Sequence, residues 1–524
     1  KHQWLLQKAF GLANVDTGKR NGVDTIFCVA SVSKQFTATL AAIAAHNGHF
    51  SLDDDIRKHV PELPDYGRPI TIRNLIHHTN GLRDDGWLVK LTGRSSQYST
   101  QPRLLRLITR QQGVNFLAGE KFSYGNTAYV LLAEIIERKT GQSLHAYARQ
   151  KIFGPLGMVN TYYIGDPQGP KNYATPYQRE GNRWANTGAF TELARRATGG
   201  VMTTLDDYGL WVQNLLAKDS KLDGGAELTR MLMAPDRLID GSSNEYGFGL
   251  ELGAYRGLQS IGHDGSGGGY KADTIMFPTR LLAVFAFWNN SVYPTDTVLQ
   301  LVDLFLDQPG GESVSAKEKV IDVPAADLKP LVGMYREASV GSAMLVSMTG
   351  TGLTIAYRDP PHPIQAVSRS RFLAPGHLQL EFERDGQGRG IRLRQDKSSD
   401  LVIGTGIFER VQPPVLNTKQ LSVYAGDYYS RDVDATYRFK VDNGRLVMNI
   451  VGSEPGEVGS QTKTVVMQPS LVDEFVSIPD RMVFSFQRDG GRGPSGFLLN
   501  AHHGSILRLP FKRNSTSPGV PSAP

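Results

Sequence analysis

Cysteine is nearly absent: Cys28 is the one thiol in 524 residues. No disulfide can form within the chain, and multi-cysteine zinc or iron–sulfur sites are excluded. This usage leaves the bacterial periplasm, secretion and the cytoplasm equally open. Runs of five like charges are also missing, and a net charge of +6 is spread over the whole length, which excludes a nucleic-acid stripe or a polybasic membrane patch. The longest apolar run, Leu281 to Trp288, falls far short of the ~20 residues of a membrane span, so no transmembrane segment is expected. The chain starts at Lys1 with no charged-then-apolar leader, so any export signal is expected to have been removed or never to have existed. What is present is an ordinary globular composition, 40% hydrophobic and 21% charged, turn-rich with 56 Gly and 28 Pro. About three or four domains are expected at this length.

Helical and strand patterns alternate through the first 310 residues, and the remainder reads as short strands between Gly, Asp, Asn and Pro turns. Residues 308–324 (QPGGESVSAKEKVIDVP) read as a linker, and Gln412-Pro413-Pro414 as a second break. A repeat spans the strand-rich part. Gly333-Met334-Tyr335 and Gly426-Asp427-Tyr428 open two blocks that close with Phe408-Glu409-Arg410 and Phe511-Lys512-Arg513. Inside the second block, residues 435–441 and 445–450 flank Asp442-Asn443-Gly444 as a hairpin should. The expected division is a first domain over 1–308, β-modules over 325–412 and 415–513, and a disordered tail over 514–524. Closed antiparallel barrels would leave these modules without exposed edges.

The chemistry lies in the first domain. Ser31-Val32-Ser33-Lys34 is a Ser-x-x-Lys, which on a helix brings an amine beside a hydroxyl. Ser460 to Lys463 matches too, so context must separate the two. After Ser31 the apolar Phe36, Leu40 and Ile43 and the stop Asn47-Gly48 define an amphipathic helix, whereas Ser460 has none. A helix N-terminus favours developing negative charge at Ser31, and burial can keep the Lys34 amine neutral and basic. Tyr124-Gly125-Asn126, the one Tyr-x-Asn, precedes a second apolar helix. Its phenol can relay a proton and its amide can hold a carbonyl. For a third element, Lys139-Thr140-Gly141 reads as a helix end with Gly141 as its C-cap. His263-Asp264-Gly265, followed by Ser266-Gly267-Gly268-Gly269 and two strands, is the better choice. No helix follows these glycines, so they are not a dinucleotide fingerprint. His77-His78 and His502-His503 lack acidic or Cys companions at ligand spacing and read as structural, so no metal is expected.

These elements, with segments 31–37, 51–63, 72–82 and 246–250, resemble the penicillin-recognising serine hydrolases: class C β-lactamases, DD-peptidases, their esterase relatives and D-aminopeptidases. The resemblance covers roughly residues 1 to 308. It implies an α/β (α+β) β-lactamase-like sandwich, an antiparallel sheet flanked by helices with an all-helical insertion. Two lipocalin-like β-barrel modules then follow, as in three-domain D-aminopeptidases. It further implies Ser31 as nucleophile, Lys34 and Tyr124 as base and acid, and His263 with Asn126 lining the cleft. Gly265 and Ser266 lie on the substrate strand, with the Ser31 and Ser266 N–H groups as oxyanion hole. His263 stands where class C β-lactamases carry Lys, so efficient β-lactam hydrolysis is not expected. The chain also begins inside the family's first hairpin, so one sheet strand is expected to be missing, and the Ser477-Ile478-Pro479-Asp480 turn is short for a barrel loop that shapes the site. The implied activity is a serine hydrolase working through an acyl-enzyme on D-amino-acid peptides or amides, without cofactor. Alternatives are a promiscuous carboxylesterase, a weak β-lactamase or DD-peptidase, and a non-catalytic binding protein. A small peptide, amide or ester substrate and a homodimer are the expected partners.

Overall fold

The computed structural model describes residues 4–170, 172–188, 196–292, 297–306, 319–357, 360–375, 378–395, 406–490 and 493–514. Residues 308–318 of the expected linker (308–324) and 515–524 of the expected tail (514–524) lie outside the described residues. Two compact units emerge: Lys1–Leu82, Tyr98–Thr109 and Phe116–Ala316 form one, and Arg83–Gln97, Arg110–Asn115 and Lys317–Pro524 the other.

The first unit joins helices to an antiparallel sheet. Its strands β1 (Glu251–Tyr255), β2 (Leu258–Gly267), β3 (Tyr270–Phe277) and β4 (Leu282–Trp288) pair in sequence order. The turn between β2 and β3 explains part of the glycine run. Gly267 pairs with Tyr270, so Gly268 and Gly269 alone make the hairpin loop, both at positive φ (58° and 87°) as a tight two-residue turn requires. No strand occurs between Cys28 and Tyr162 among the described residues, in keeping with an all-helical insertion. The N-terminal strand stands apart from the sheet. Leu12–Asn14 pairs with Lys19–Arg20, because the intervening turn, with Asn14 Oδ1 accepting from Thr17 N–H, closes a local hairpin.

Helix α1 (Lys34–His46) differs from the expected amphipathic element. Every residue from Lys34 to Ala44 is buried, so the helix has core neighbours all round rather than on one stripe. Helix α2 (Asn126–Thr140) packs against it and ends at Gly141 in the left-handed region (φ 69°), the C-cap expected for Lys139-Thr140-Gly141. Among the described residues no helix is long and apolar enough to cross a membrane.

In the second unit, eight strands from Gly333–Glu337 to Ile407–Val411 form a closed antiparallel barrel, the first paired with the last. Tyr335, Met344, Ile355, Phe382, Leu393 and Phe408 belong to its apolar core. Nine further strands between Gly426 and Arg513 make a nearly closed sheet. Its hairpin Ala435–Asp442/Arg445–Ile450 turns on Asn443-Gly444, both at positive φ. The sequence repeat has a physical basis. Tyr335 pairs with Arg410 and Tyr428 with Arg513, across the strand contact that joins the start of each block to its end. Each guanidinium lies over its tyrosine ring (6.0 and 5.7 Å) and donates to the carbonyl before the opening glycine, Val332 or Ala425. Each tyrosine hydroxyl donates to the carbonyl four residues back, Leu331 or Tyr424.

Residues 83–97 join this unit through a buried ion pair. Arg83 Nη1 donates to Asp432 Oδ2 (2.8 Å) and to Gln111 Oε1 (3.1 Å), with both charged side chains 3% exposed. Tyr437 adds a hydroxyl bond to Leu91 O. Removing one partner of such a pair leaves a buried charge unmatched. Asp432→Ala is expected to lower unfolding stability of this unit by about 3–5 kcal/mol, read by chemical denaturation; a loss within about 1 kcal/mol, the range of a surface pair, would contradict the burial argument.

Candidate active site

Ser31 lies in a one-turn 3-10 segment, Ala30–Ser33, that runs directly into α1. Ala30 has φ 45°, a left-handed conformation that is costly for a residue with a Cβ. This strained turn sits against β2. A Cβ on Gly265 would stand 2.4 Å from Val29 O and 3.0 Å from Ser31 N, so glycine is required for the strand to pass the serine so closely.

Lys34 is fully buried, and its Nζ has three acceptors: Ser31 Oγ (3.2 Å), Asn126 Oδ1 (2.9 Å) and Thr198 O (2.9 Å). A buried ammonium without partners would be prohibitively costly, and here each of its protons has one. Asn126 is the first residue of α2, and Gly125 before it is extended, so the loop carrying Tyr124 leads straight into the helix. The Tyr124 hydroxyl lies close enough to Ser31 to feel its hydroxyl, and Lys34 Nζ lies 4.7 Å from the centre of the Tyr124 ring. Tyr124 as a whole residue is 36% exposed, with its hydroxyl end the more crowded part. Burial of that end holds the phenol well above its ordinary 10; the nearby Ser31 hydroxyl opposes the shift, while the Asp264 and Glu251 charges add to it. Tyr124 is therefore a neutral proton donor near neutral pH.

His263 occupies β2, 3% exposed, with its ring centre 6.0 Å from that of Tyr124. Nδ1 donates to the Asp264 carbonyl, which leaves Nε2 to accept from the Tyr246 hydroxyl at 2.9 Å. Burial first, and the Lys34 charge second, push the imidazole from its ordinary 6.5 down to about 3. His263 is thus neutral, with both nitrogens satisfied inside the protein. Ser266 is the next residue but two on the same strand; its side chain is exposed, so what it can offer the site is its backbone N–H. Glu251, His263 and Asp264 bring one donor atom each within 4.8 Å of one another, yet the hydrogen bonds on both imidazole nitrogens leave no lone pair there for a metal.

Ser31, Lys34, Tyr124, Asn126, His263 and Gly265 are thereby brought together, and three further groups join them. Thr198 contributes a carbonyl, for which the sequence carries no signal. Tyr246 comes from the Tyr246-Gly247-Phe248-Gly249-Leu250 segment. A Cβ on Gly249 (φ 71°) would lie 2.5 Å from Lys34 C and Gln35 N, so its glycine lets the segment abut the first turn of α1. His78, read from sequence as structural, has its ring 4.4 Å from that of Tyr124.

Two outcomes follow from this geometry. Gly265→Ala should push β2 away from the Ser31 turn and lower kcat/KM by ~10²-fold, the order expected for a misplacement of about 1 Å, in a protein that still folds; an unchanged kcat/KM would contradict the close approach. Between pH 6.5 and about 3 the unfolded chain binds a proton that folded His263 rejects, so stability present above pH 6.5 is lost as acid is added through that window. The drop in melting temperature from pH 7 to pH 4 should be smaller in His263→Gln than in the wild type, and an equal drop would contradict a neutral buried His263.

Over residues 1–304 the sequence matches the Beta-lactamase family. A D-aminopeptidase of Cereibacter sphaeroides is 24% identical over 516 residues, 93% of this chain and 90% of that protein. A D-aminopeptidase of Brucella anthropi is 28% identical over 309 residues, 59% of this chain and 58% of its own. The octameric penicillin-binding protein homologue from Pyrococcus abyssi shares the fold, with a TM-score of 0.55 and 20% identity over 84% of this chain and 90% of that one. With the family match spanning more than half of its length, the chain belongs to the Beta-lactamase family.

Proposed function

We propose that this protein is a D-aminopeptidase-type serine hydrolase, which removes an amine from D-configured aminoacyl amides or peptides through an acyl-enzyme on Ser31. The observation that carries the reading is the convergence on the Ser31 hydroxyl of Lys34 Nζ and the Tyr124 phenol, beside the strand of His263. Likeness to D-aminopeptidases along 93% of the chain, barrels included, supports the substrate class.

In its amine form Lys34 can keep two protons on Asn126 Oδ1 and Thr198 O and turn its lone pair to Ser31. Ser31 Oγ then attacks the substrate carbonyl carbon while its proton passes to Lys34. The N–H groups of Ser31 and Ser266 receive the oxyanion. Collapse breaks the C–N bond, and the neutral phenol of Tyr124 donates the proton that the leaving amine needs; Lys34 returns a proton to Tyr124. Water attacks the ester by the reverse relay and frees Ser31. Asn126 holds Lys34 and borders the carbonyl, and His263 and Gly265 give β2 an uncharged, closely set wall for the substrate. The chain division is proposed as 1–308, 325–412 and 415–513, with 83–97 and 110–115 of the first stretch belonging to the compact unit of the barrels, and the assembly as a homodimer, expected at twice the 57.5 kDa chain mass by light scattering; a monomeric mass would contradict it.

D-alanyl anilide should be cleaved at least about tenfold faster than L-alanyl anilide, and Ser31→Ala should lose about 10⁴-fold of that activity. Equal rates on both enantiomers together with rapid cleavage of short-chain nitrophenyl esters would replace the peptidase by the esterase. A stoichiometric burst without turnover would make the protein a binding protein.

A further inference from the structure

We propose that His78 is a positioning residue, whose imidazole and carbonyl together hold the Ser123-Tyr124-Gly125 loop so that the Tyr124 hydroxyl meets Ser31. This rests on the proposed acid role of Tyr124. Three consecutive residues of the loop are gripped by this one side chain and its backbone. The Ser123 N–H donates to His78 O (2.9 Å), the Tyr124 ring packs on the imidazole (4.4 Å between centres), and the Gly125 N–H donates to Nδ1 (3.4 Å). Gly125 is also the residue before α2, so the same grip fixes where Asn126 begins and hence where its Oδ1 meets Lys34.

Packing alone does not account for a histidine here. The residue is fully buried and takes a left-handed conformation (φ 56°), which a side chain with a Cβ adopts only at a cost. With Nδ1 accepting from Gly125, Nε2 carries the proton, and among the described residues it has no hydrogen-bond partner. The surrounding rings, those of Phe122 (6.1 Å), Tyr129 (5.2 Å) and Tyr246 (4.8 Å), would be filled as well by a leucine or phenylalanine with no orphaned N–H. What an apolar residue cannot supply is a buried acceptor for the Gly125 N–H. Burial first, and then the Lys34 charge, hold the imidazole well below its ordinary 6.5, so that acceptor is present near neutral pH. No hydrogen bond joins His78 to Ser31 or Lys34 among the described residues, so its effect passes through the loop.

The test is the turnover rate per reactive serine. Wild type, His78→Phe and His78→Asn are titrated to completion with a serine-directed phosphonate, and kcat and KM on D-alanyl anilide are measured per titrated site. Phe keeps the ring and loses the acceptor; Asn tolerates positive φ but withdraws from Tyr124. Each is expected to lower kcat per titrated serine by at least about tenfold, a fraction of the general-acid contribution, with KM within about twofold of wild type. A purely structural role would lower the titratable fraction or the melting temperature and leave kcat per titrated site unchanged. If either folded variant turns over within about twofold of wild type, the positioning role is overturned, and His78→Asn decides alone should His78→Phe fail to fold. A wild type that neither labels nor turns over would overturn the hydrolase reading, and this one with it.

Discussion

One buried ammonium organises the first unit. Lys34 is enclosed completely, and an enclosed charge is tolerated only where every proton finds an acceptor. Its three come from distant parts of the chain: Ser31 in its own turn, Asn126 at 92 residues' separation and the Thr198 carbonyl at 164. Satisfying one side chain thus forces the strained Ala30–Ser33 turn, the start of α2 and the Thr198 segment to a single point. Gly265 and Gly249 then close in on that turn from β2 and from the 246–250 segment, each where a Cβ would collide with backbone. What results is a serine hydroxyl between an amine and a phenol, which is the arrangement the proposed acyl transfer uses.

Charge within this site is set by burial more than by pairing. Tyr124 is kept as a phenol and His263 as a neutral imidazole, in both cases chiefly because their polar ends are enclosed. The strand that would carry the substrate therefore presents no cation at His263. Its hydrogen bonds to Asp264 and Tyr246 fix the tautomer as well as the charge.

Much of this was legible in the sequence where the signal is local. A three-residue spacing placed Lys34 beside Ser31, an Asn-Gly pair marked the turn at 443–444, and the paired Gly-x-Tyr and Phe-x-Arg marks flagged two modules before their tyrosine–arginine contacts were seen. Signals that depend on tertiary neighbours were not legible. Thr198 acts through a carbonyl that any residue could supply, and His78 gains its significance from a loop 45 residues away whose backbone it holds. The pattern of α1 suggested one apolar face, since its small and hydroxylated residues do not reveal a helix enclosed on all sides. Residues 83–97 read as part of the first domain, because a buried partner for Arg83 at Asp432 cannot be inferred from either segment alone.

The central claim is that the Ser31 hydroxyl becomes acylated. Acid quenching of the protein during steady-state turnover of a D-aminoacyl ester, followed by peptide mass analysis, reads this directly. The account predicts one added aminoacyl group, on the peptide containing Ser31, that forms and decays at rates consistent with turnover. Turnover with no adduct, or with the acyl group on a peptide lacking Ser31, would contradict it.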